Sequence, residues 1–188
     1  MIDTLETTVT RRGGLIHLNC PVQAITPQNP DGALSLVVKN QQPQTFDACL
    51  VTTSPKLLSQ MTPSLPQSYL DKLLKLKSMG AVVLTLALKR PLMVDSQTYW
   101  LNIPATSPDK SENTLPFLAL VEHTNYIDRQ HYGGDHIVYC GDYVNPDHPY
   151  MRMEQAELET LFTTALTKIN PAFQPDWIRK SWLFRASY

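Results

Sequence analysis

The chain has 188 residues, 43% of them hydrophobic and 18% charged, which is enough apolar material to bury a substantial core. Its 16 basic and 17 acidic residues leave a formal net charge of −1, without the basic surplus typical of nucleic-acid-binding proteins. The longest apolar run, Ala81–Leu88, is far shorter than the roughly 20 residues that cross a bilayer, so we expect no membrane span.

The cysteines and the first residues indicate the cellular compartment. Cys20, Cys49 and Cys140 are odd in number and widely spaced, which favours reduced core residues over a disulfide framework or a zinc site. The chain begins MIDTLETTVTRR, with no apolar stretch before a small-residue cleavage site. We therefore expect a cytoplasmic protein.

The first third of the chain predicts strands. Short apolar stretches occur at Leu15–His17 and Val22–Ile25, and Ala33–Val38 follows the turn residues Asn29–Gly32, a pattern typical of a β-hairpin. A third run, Phe46–Val51, predicts another strand, which a proline soon stops.

A helix should follow. Ser64 can cap it, with Gln67 three residues later and Pro66 tolerated in the first turn. The apolar residues of the segment Tyr69–Lys77 recur at helical spacing, which predicts one buried leucine face. Gly80 should end the helix.

The remaining chain predicts a sheet and a second helix. Four apolar runs are separated by short turn-forming segments, which favours antiparallel pairing; they are Ala81–Leu88, Thr98–Ile103, Pro116–Glu122 and His136–Tyr143. Leu158–Ile169 has strong helical periodicity, and Trp177–Tyr188 predicts a last strand. The fold class is therefore α+β: an antiparallel or mixed sheet of about five to six strands, backed by two main helices, with a small β-hairpin beside it.

Self-contained catalytic motifs are missing from the sequence. It has no GxxxxGK[ST], HExxH, GxSxG or GxGxxG pattern, which argues against P-loop, zincin and serine-hydrolase chemistry. Gly13–Gly14 and Gly133–Gly134 are isolated pairs, too few to surround a pyrophosphate.

An ordered set of segments resembles a known family. GGLIHLNCPVQAI (13–25), FDACLVTTSPKLLSQMTPSLP (46–66), a proline-bounded helix and GAVVLTLALKRPL (80–92) follow one another. This order is similar to that of the FAD-dependent amine oxidase, protoporphyrinogen oxidase and phytoene desaturase superfamily. YWLNIP, PFLALVEHTN, YGGDHIVYCGDY and INPAF resemble the substrate domain of its protoporphyrinogen-oxidase-like branch.

The resemblance implies FAD as cofactor and hydride transfer from a C–N or C–C bond of a small-molecule substrate to the flavin. It implies that Val22 faces the adenine part of FAD through its backbone. It also implies that Thr53, Ser54 and Pro55 lie at the crossover between the flavin and substrate domains.

The family's amino-terminal GxGxxG element and carboxy-terminal flavin segment are both missing here. We therefore expect a detached middle segment of a longer protein: residues 1–56 from the FAD-binding domain and residues 57–188 from a substrate domain truncated at its C-terminus. The flavin domain of the same parent chain would be its main partner. Alone, this segment should be inactive and should not retain FAD.

Several residues are candidates for facing a substrate, although none is identified as catalytic. Glu122, His123 and Asn125 cluster at a strand end, where they could orient a polar group; a hydrogen-bonded loop is the plainer interpretation. His131, His136 and His148 share a region but match no ligand spacing, so we expect no metal.

Aromatic residues form a second group of candidates. Tyr99 and Trp100 could line one wall of an apolar pocket, and Tyr139 and Tyr143 the opposite wall, because alternation in adjacent strands places rings on shared faces. Ordinary sheet core is the plainer interpretation. A stand-alone binding module that uses this aromatic face remains the alternative function, and a bare face could also drive self-association.

Overall fold

The computed structural model describes residues 2–28, 32–93 and 98–187. They form two compact units, which meet in sequence between Lys77 and Ser78. The described residues contain four α-helices and two antiparallel sheets, so the chain is α+β, as the sequence predicts. The domain boundary near residue 56 concerns the parts of a longer protein and stays a prediction.

The first unit contains three helices and a three-stranded sheet of order β1-β2-β3. In chain order its elements are α1 (Ile2–Arg11), β1 (Val22–Pro27), β2 (Leu34–Val38), β3 (Gln44–Phe46), α2 (Pro55–Met61) and α3 (Gln67–Leu74). Strands β1 and β2 pair antiparallel, with Ile25 opposite Leu36, which confirms the hairpin. Residues 29–31 of the predicted turn lie outside the described residues.

The start of the chain differs from the sequence expectation. Helix α1 was not predicted, although its Ile2, Leu5 and Val9 recur at helical spacing, and none of its residues is buried. It ends at Arg11, two residues before Gly13, whose φ of +84° lies in the left-handed region, where glycine fits best. Leu15–His17 is irregular rather than a strand, and Phe46–Val51 joins the sheet only at Phe46.

Helix α3 is shorter than expected. Pro66 is its N-cap residue and makes no side-chain capping bond, so Ser64 does not cap it. The helix ends at Leu74 rather than near Gly80. Leu70 is buried, but Leu74 and Leu76 are more than half exposed. Since most helix stability comes from burying an apolar face, nothing supports a longer helix.

The second unit is built on a five-stranded sheet of order β5-β6-β7-β4-β8, and every neighbouring pair is antiparallel. Its elements are β4 (Gly80–Leu88), β5 (Trp100–Asn102), β6 (Ala119–Glu122), β7 (His136–Val144), α4 (Gln155–Leu166) and β8 (Ile178–Ala186). This confirms all five strands predicted for this region. The predicted last strand extends to Tyr188, which lies outside the described residues.

One face of the larger sheet forms the core of the second unit. The alternate residues Val82, Leu84 and Leu86 of β4 are fully buried and share a cluster with Leu158 and Phe162 of α4. Side chains alternate between the two faces of a strand. Helix α4 therefore covers the face that these residues share and leaves the other face free of it.

Two further observations concern all described residues. None of their helices is long and apolar enough to cross a membrane. Cys20, Cys49 and Cys140 are free thiols, and burial raises the pKa of the Cys140 thiol.

Candidate functional site

The sheet face opposite α4 carries aromatic side chains around a floor of small residues. Strand pairing places residues from all five strands in one row across this face: Trp100, Val121, Tyr139, Thr85 and Trp182. The next row consists of Asn102, Ala119, Gly141, Val83 and Phe184. The aromatic rings of the first row therefore lie beside a second row whose central residues have small side chains.

A recess of about 220 Å³ lies on this face. Its lining includes the small or branched residues Ala81, Val83, Ala119, Val121 and Gly141, and the rings of Trp100, Tyr139 and Tyr143. Trp100 and Tyr143 are 52% and 62% exposed, although most rings of this size are buried in a protein core. An apolar recess with exposed rings is typical of a small-molecule site.

Gly141 determines the depth of the recess. A Cβ atom added at this glycine would meet only Val83 Cγ2, at 3.9 Å, which is an ordinary van der Waals distance. The space above Gly141 is therefore open. A flat molecule could lie directly on the strand backbone at this point.

Tyr99 and Tyr126 extend the aromatic wall beyond Trp100. The ring of Tyr99 meets that of Trp100 edge-on, with centroids 6.5 Å apart, and stacks on Tyr126 at 5.2 Å. Asn125 donates a hydrogen bond from Nδ2 to the carbonyl of Thr98, at 2.9 Å. Asn125 thus ties the turn after β6 to the segment before β5.

His123 supplies a polar group beside the recess. Its Nε2 lies 2.7 Å from the hydroxyl of Tyr132, and its ring centroid lies 5.5 Å from that of Tyr139. Burial, and secondarily the neighbouring Tyr132, raises the pKa of the Tyr139 hydroxyl. Tyr139 should therefore stay protonated near neutral pH.

Glu122 lies away from the aromatic rings. It is fully buried, and its carboxylate accepts hydrogen bonds from the backbone N–H groups of Leu92 and Met93, at 3.1 and 2.6 Å. Alternation places it on the opposite sheet face from its neighbour Val121, which lines the recess. The carboxylate thus anchors a loop, and its grouping with His123 and Asn125 as a substrate-facing residue stays a prediction.

The three histidines noted in the sequence have separate surroundings. His136 Nδ1 lies 3.4 Å from a Glu122 oxygen, His148 Nδ1 accepts a hydrogen bond from the backbone N–H of Tyr150, and His131 is exposed. Within residues 2–28, 32–93 and 98–187, no group of three or more His, Cys, Asp or Glu residues could hold a metal ion.

Sequence reasoning missed part of this site. Tyr132 lies in a 3₁₀ turn, Arg129–Tyr132. Such a turn has no strand periodicity, so no repeating pattern in the sequence indicated Tyr132. Trp182 and Phe184 share the aromatic face through β8. Strand alternation within Ile178–Ala186 could have found them, provided that the order of the strands had been known.

The predicted cofactor-binding residues lie together in the first unit. Val22 and Thr53 both line a cavity of about 560 Å³ between β1 and α2. Ser54 caps α2 by accepting a hydrogen bond from the N–H of Leu57, at 3.4 Å, and Pro55 is the first residue of that helix. Ser54 and Pro55 therefore fix where the helix starts.

Comparison with protein families identifies one match. The family model described as flavin-containing amine oxidoreductase matches residues 1–185. A search of curated proteins gives no significant match.

Solved structures show a similar fold. An oxidoreductase from Methanosarcina mazei is 19% identical, with a TM-score of 0.71 over 98% of this chain and 41% of its own. The cyclohexylamine oxidase from Brevibacterium oxydans IH-35A is 14% identical, with a TM-score of 0.64 over 97% of this chain and 37% of its own. The chain thus spans about two fifths of each structure's length. At such identities the likeness concerns the fold alone.

Proposed function

Because the chain belongs to the flavin-containing amine oxidoreductase family, we propose that it forms the substrate side of an FAD-dependent oxidoreductase. A bound flavin would supply hydride-accepting chemistry, by which a C–N or C–C single bond of the substrate is oxidised through loss of a hydride from a C–H bond. The aromatic recess of the five-stranded sheet carries this proposal, since it offers an apolar surface with few polar groups around a shallow floor.

The residues of the recess would orient the substrate and exclude water. Trp100 and Tyr143 hold exposed rings on either side of the floor, and Tyr139 stands between them and His123. Such rings offer a large contact area at a low cost in side-chain entropy. Productive orientation of a substrate accounts for a large part of enzymatic rate enhancement.

The first unit could contact one part of FAD but not the whole cofactor. The cavity lined by Val22 and Thr53 could take a flat group such as adenine, and we propose that this group faces the backbone of Val22. Ser54 and Pro55 would position the segment beside it. The 188 residues contain no GxGxxG turn to hold the pyrophosphate, so we propose that the flavin domain of a longer parent chain binds that part.

Three narrower proposals follow. The chain alone is inactive and does not retain FAD, because it lacks the pyrophosphate site.

Exposed apolar residues of the first unit, among them Leu15, Leu18 and Leu50, drive self-association when the flavin domain is absent. Light scattering that shows only monomer over a concentration series would count against this. The protein is cytoplasmic, which fractionation of tagged cells can test.

The direct experiment is to express the complete open reading frame that contains these residues. We expect a yellow protein whose flavin absorbance survives gel filtration, whereas the 188-residue chain purified in parallel stays colourless after incubation with FAD. A colourless complete protein that ignores added FAD would contradict the proposal.

A stand-alone binding module is the second candidate function. The recess belongs wholly to the compact unit from Ser78 onward, so it does not depend on any other part of the chain for its lining. The gene sequence decides between the two candidates. A stop codon after Tyr188 together with no GxGxxG segment before Met1 would favour the module.

A further inference from the structure

We propose that His123 and Tyr132 form a polar anchor beside the recess that binds a hydroxyl or ring N–H group of a flat, conjugated substrate. This inference rests on the proposed function and narrows it to a substrate class. The apolar lining of the recess specifies a flat ring system, and the anchor adds one hydrogen-bonding group at a defined side.

The two residues contact the recess through Tyr139. The ring of Tyr139 lines the recess, and the ring of His123 lies 5.5 Å from it, centroid to centroid. Tyr132 then meets His123 edge-on at 5.4 Å, with its hydroxyl 2.7 Å from Nε2. The anchor therefore lies one ring away from the apolar floor.

Local hydrogen bonds hold the anchor in place before any ligand arrives. The carbonyl of His123 accepts bonds from the N–H groups of Tyr126 and Ile127, both at 3.0 Å. The turn that carries Tyr132 stops at Gly133, whose φ of +67° lies in the left-handed region. A site arranged in advance loses less entropy on binding.

The anchor can pair with a ligand group that donates a hydrogen bond or with one that accepts it. A neutral imidazole and a phenol together carry one N–H and one O–H. One of these protons lies in the bond between Nε2 and the hydroxyl, so one donor and one acceptor are left over, whichever group donates. Since a hydroxyl group can both donate and accept, it suits both arrangements.

The size of the recess limits the ring system. A dry cavity of about 150 Å³ is known to bind benzene, and this recess has about 220 Å³. One or two fused rings therefore fit over Gly141. A substituent on such a ring system could then extend past Tyr139 towards His123.

Two matched probes test the anchor: 2-naphthol, and 2-methylnaphthalene, in which a methyl group replaces the hydroxyl. Their dissociation constants are measured by NMR titration of the 188-residue chain. A hydrogen bond of typical strength changes affinity by about fivefold. We expect Tyr132→Phe to lower the preference for 2-naphthol over 2-methylnaphthalene by about fivefold, and His123→Phe to lower it at least as much.

The controls separate the anchor from the recess. Tyr69→Phe removes a hydroxyl on α3, outside the lining of the recess, and should leave the preference unchanged. Gly141→Val fills the floor and should weaken both probes by at least about tenfold. If both probes bind, Gly141→Val weakens both, and Tyr132→Phe leaves the preference unchanged, the anchor is wrong while the proposed function stands. If neither probe binds the unaltered chain, the anchor and its substrate class are contradicted, whereas the proposed function is decided separately by the flavin content of the complete protein.

Discussion

The carboxylate of Glu122 holds a loop of the second unit through two buried hydrogen bonds. Its oxygens accept from the N–H groups of Leu92 and Met93, and Asn170 donates to the carbonyl of Leu92, at 2.9 Å. Buried charges are stable only where protein groups replace the lost water. Glu122 thus fixes the segment that follows β4.

Removing this carboxylate should cost stability. Glu122→Ala leaves two buried N–H donors without acceptors, and each such loss costs about 1–3 kcal/mol. We expect the free energy of unfolding to fall by about 2–6 kcal/mol in urea denaturation. Glu154→Ala is the matched control, because Glu154 is exposed and makes no capping bond. Equal losses in the two variants would contradict the role assigned to Glu122.

Asp135 forms an ion pair with Arg179, and this contact makes the stability of the fold depend on pH. It accepts hydrogen bonds from Arg179 Nε at 2.9 and 2.8 Å, and from Nη2 of the same guanidinium. These bonds hold the pKa of the Asp135 carboxyl below its usual range. Because the folded-state pKa is the lower one, the ion pair stabilises the fold above about pH 4, the usual aspartate value.

The stabilisation by Asp135 should disappear in acid. Asp135→Asn is expected to lower the free energy of unfolding at pH 6 by about 1 kcal/mol or less, since Arg179 is half exposed. The difference from the unaltered chain should shrink as the pH falls below about 4 and through the lowered folded-state pKa. Urea denaturation at several pH values measures this. Arg179→Gln should give the same pH dependence; a difference that grows in acid would contradict the assignment.

Helix α4 is held by apolar burial on one side. Leu158, Phe162 and Leu166 are fully buried against the core face of the sheet, whereas Leu161 is 39% exposed. Phe162 meets Phe117 edge-on, with centroids 5.2 Å apart. The helix thus closes one face of the sheet mainly by packing; in addition, Gln155 donates a hydrogen bond to the hydroxyl of Ser181 in β8, and that hydroxyl donates one to the carboxylate of Glu159.

Two leucines of α4 provide a matched test of that packing. Leu158→Ala should lower the free energy of unfolding by about 2–5 kcal/mol, because it opens a cavity in the core. Leu161→Ala makes the same chemical change at an exposed site and should cost about 1 kcal/mol or less. Denaturant unfolding of both variants measures the contrast. Similar losses would show that α4 does not pack as described.

The sequence predicted the elements that bury a face and missed those that do not. Strand β4 and helix α4 show clear periodicity because alternate or i, i+3, i+4 positions face the core. Helix α1 has no buried residue, and the helical spacing of its Ile2, Leu5 and Val9 was not used to predict it. The partners of Glu122 lie about 30 residues away, a distance that local patterns do not bridge.

The candidate site, like the fold, was predicted from the sequence only in part. Tyr99, Trp100, Tyr139 and Tyr143 were expected to line one pocket; Trp100, Tyr139 and Tyr143 line the recess, whereas Tyr99 is not among its lining residues. Gly141 and Tyr132 were not singled out, since a glycine within a strand and a tyrosine in a turn carry no periodic signal. Their importance depends on strand order and on contacts between turns.

At the scale of the molecule, the second unit has two dissimilar sheet faces. Helix α4 and its leucines close one of them, while the other exposes Trp100, Tyr143 and Phe184. Exposed rings on one side of a well-packed sheet are typical of a binding surface. A flavin and its substrate are the occupants that we propose for that side.

The structure of the complete protein with its flavin tests this account most directly. We expect the isoalloxazine ring to face the side of the sheet that carries Trp100, Tyr139 and Tyr143, with the 220 Å³ recess between ring and sheet. A flavin bound on the α4 side of the sheet, or far from both faces, would contradict the assignment of the aromatic face as the substrate side.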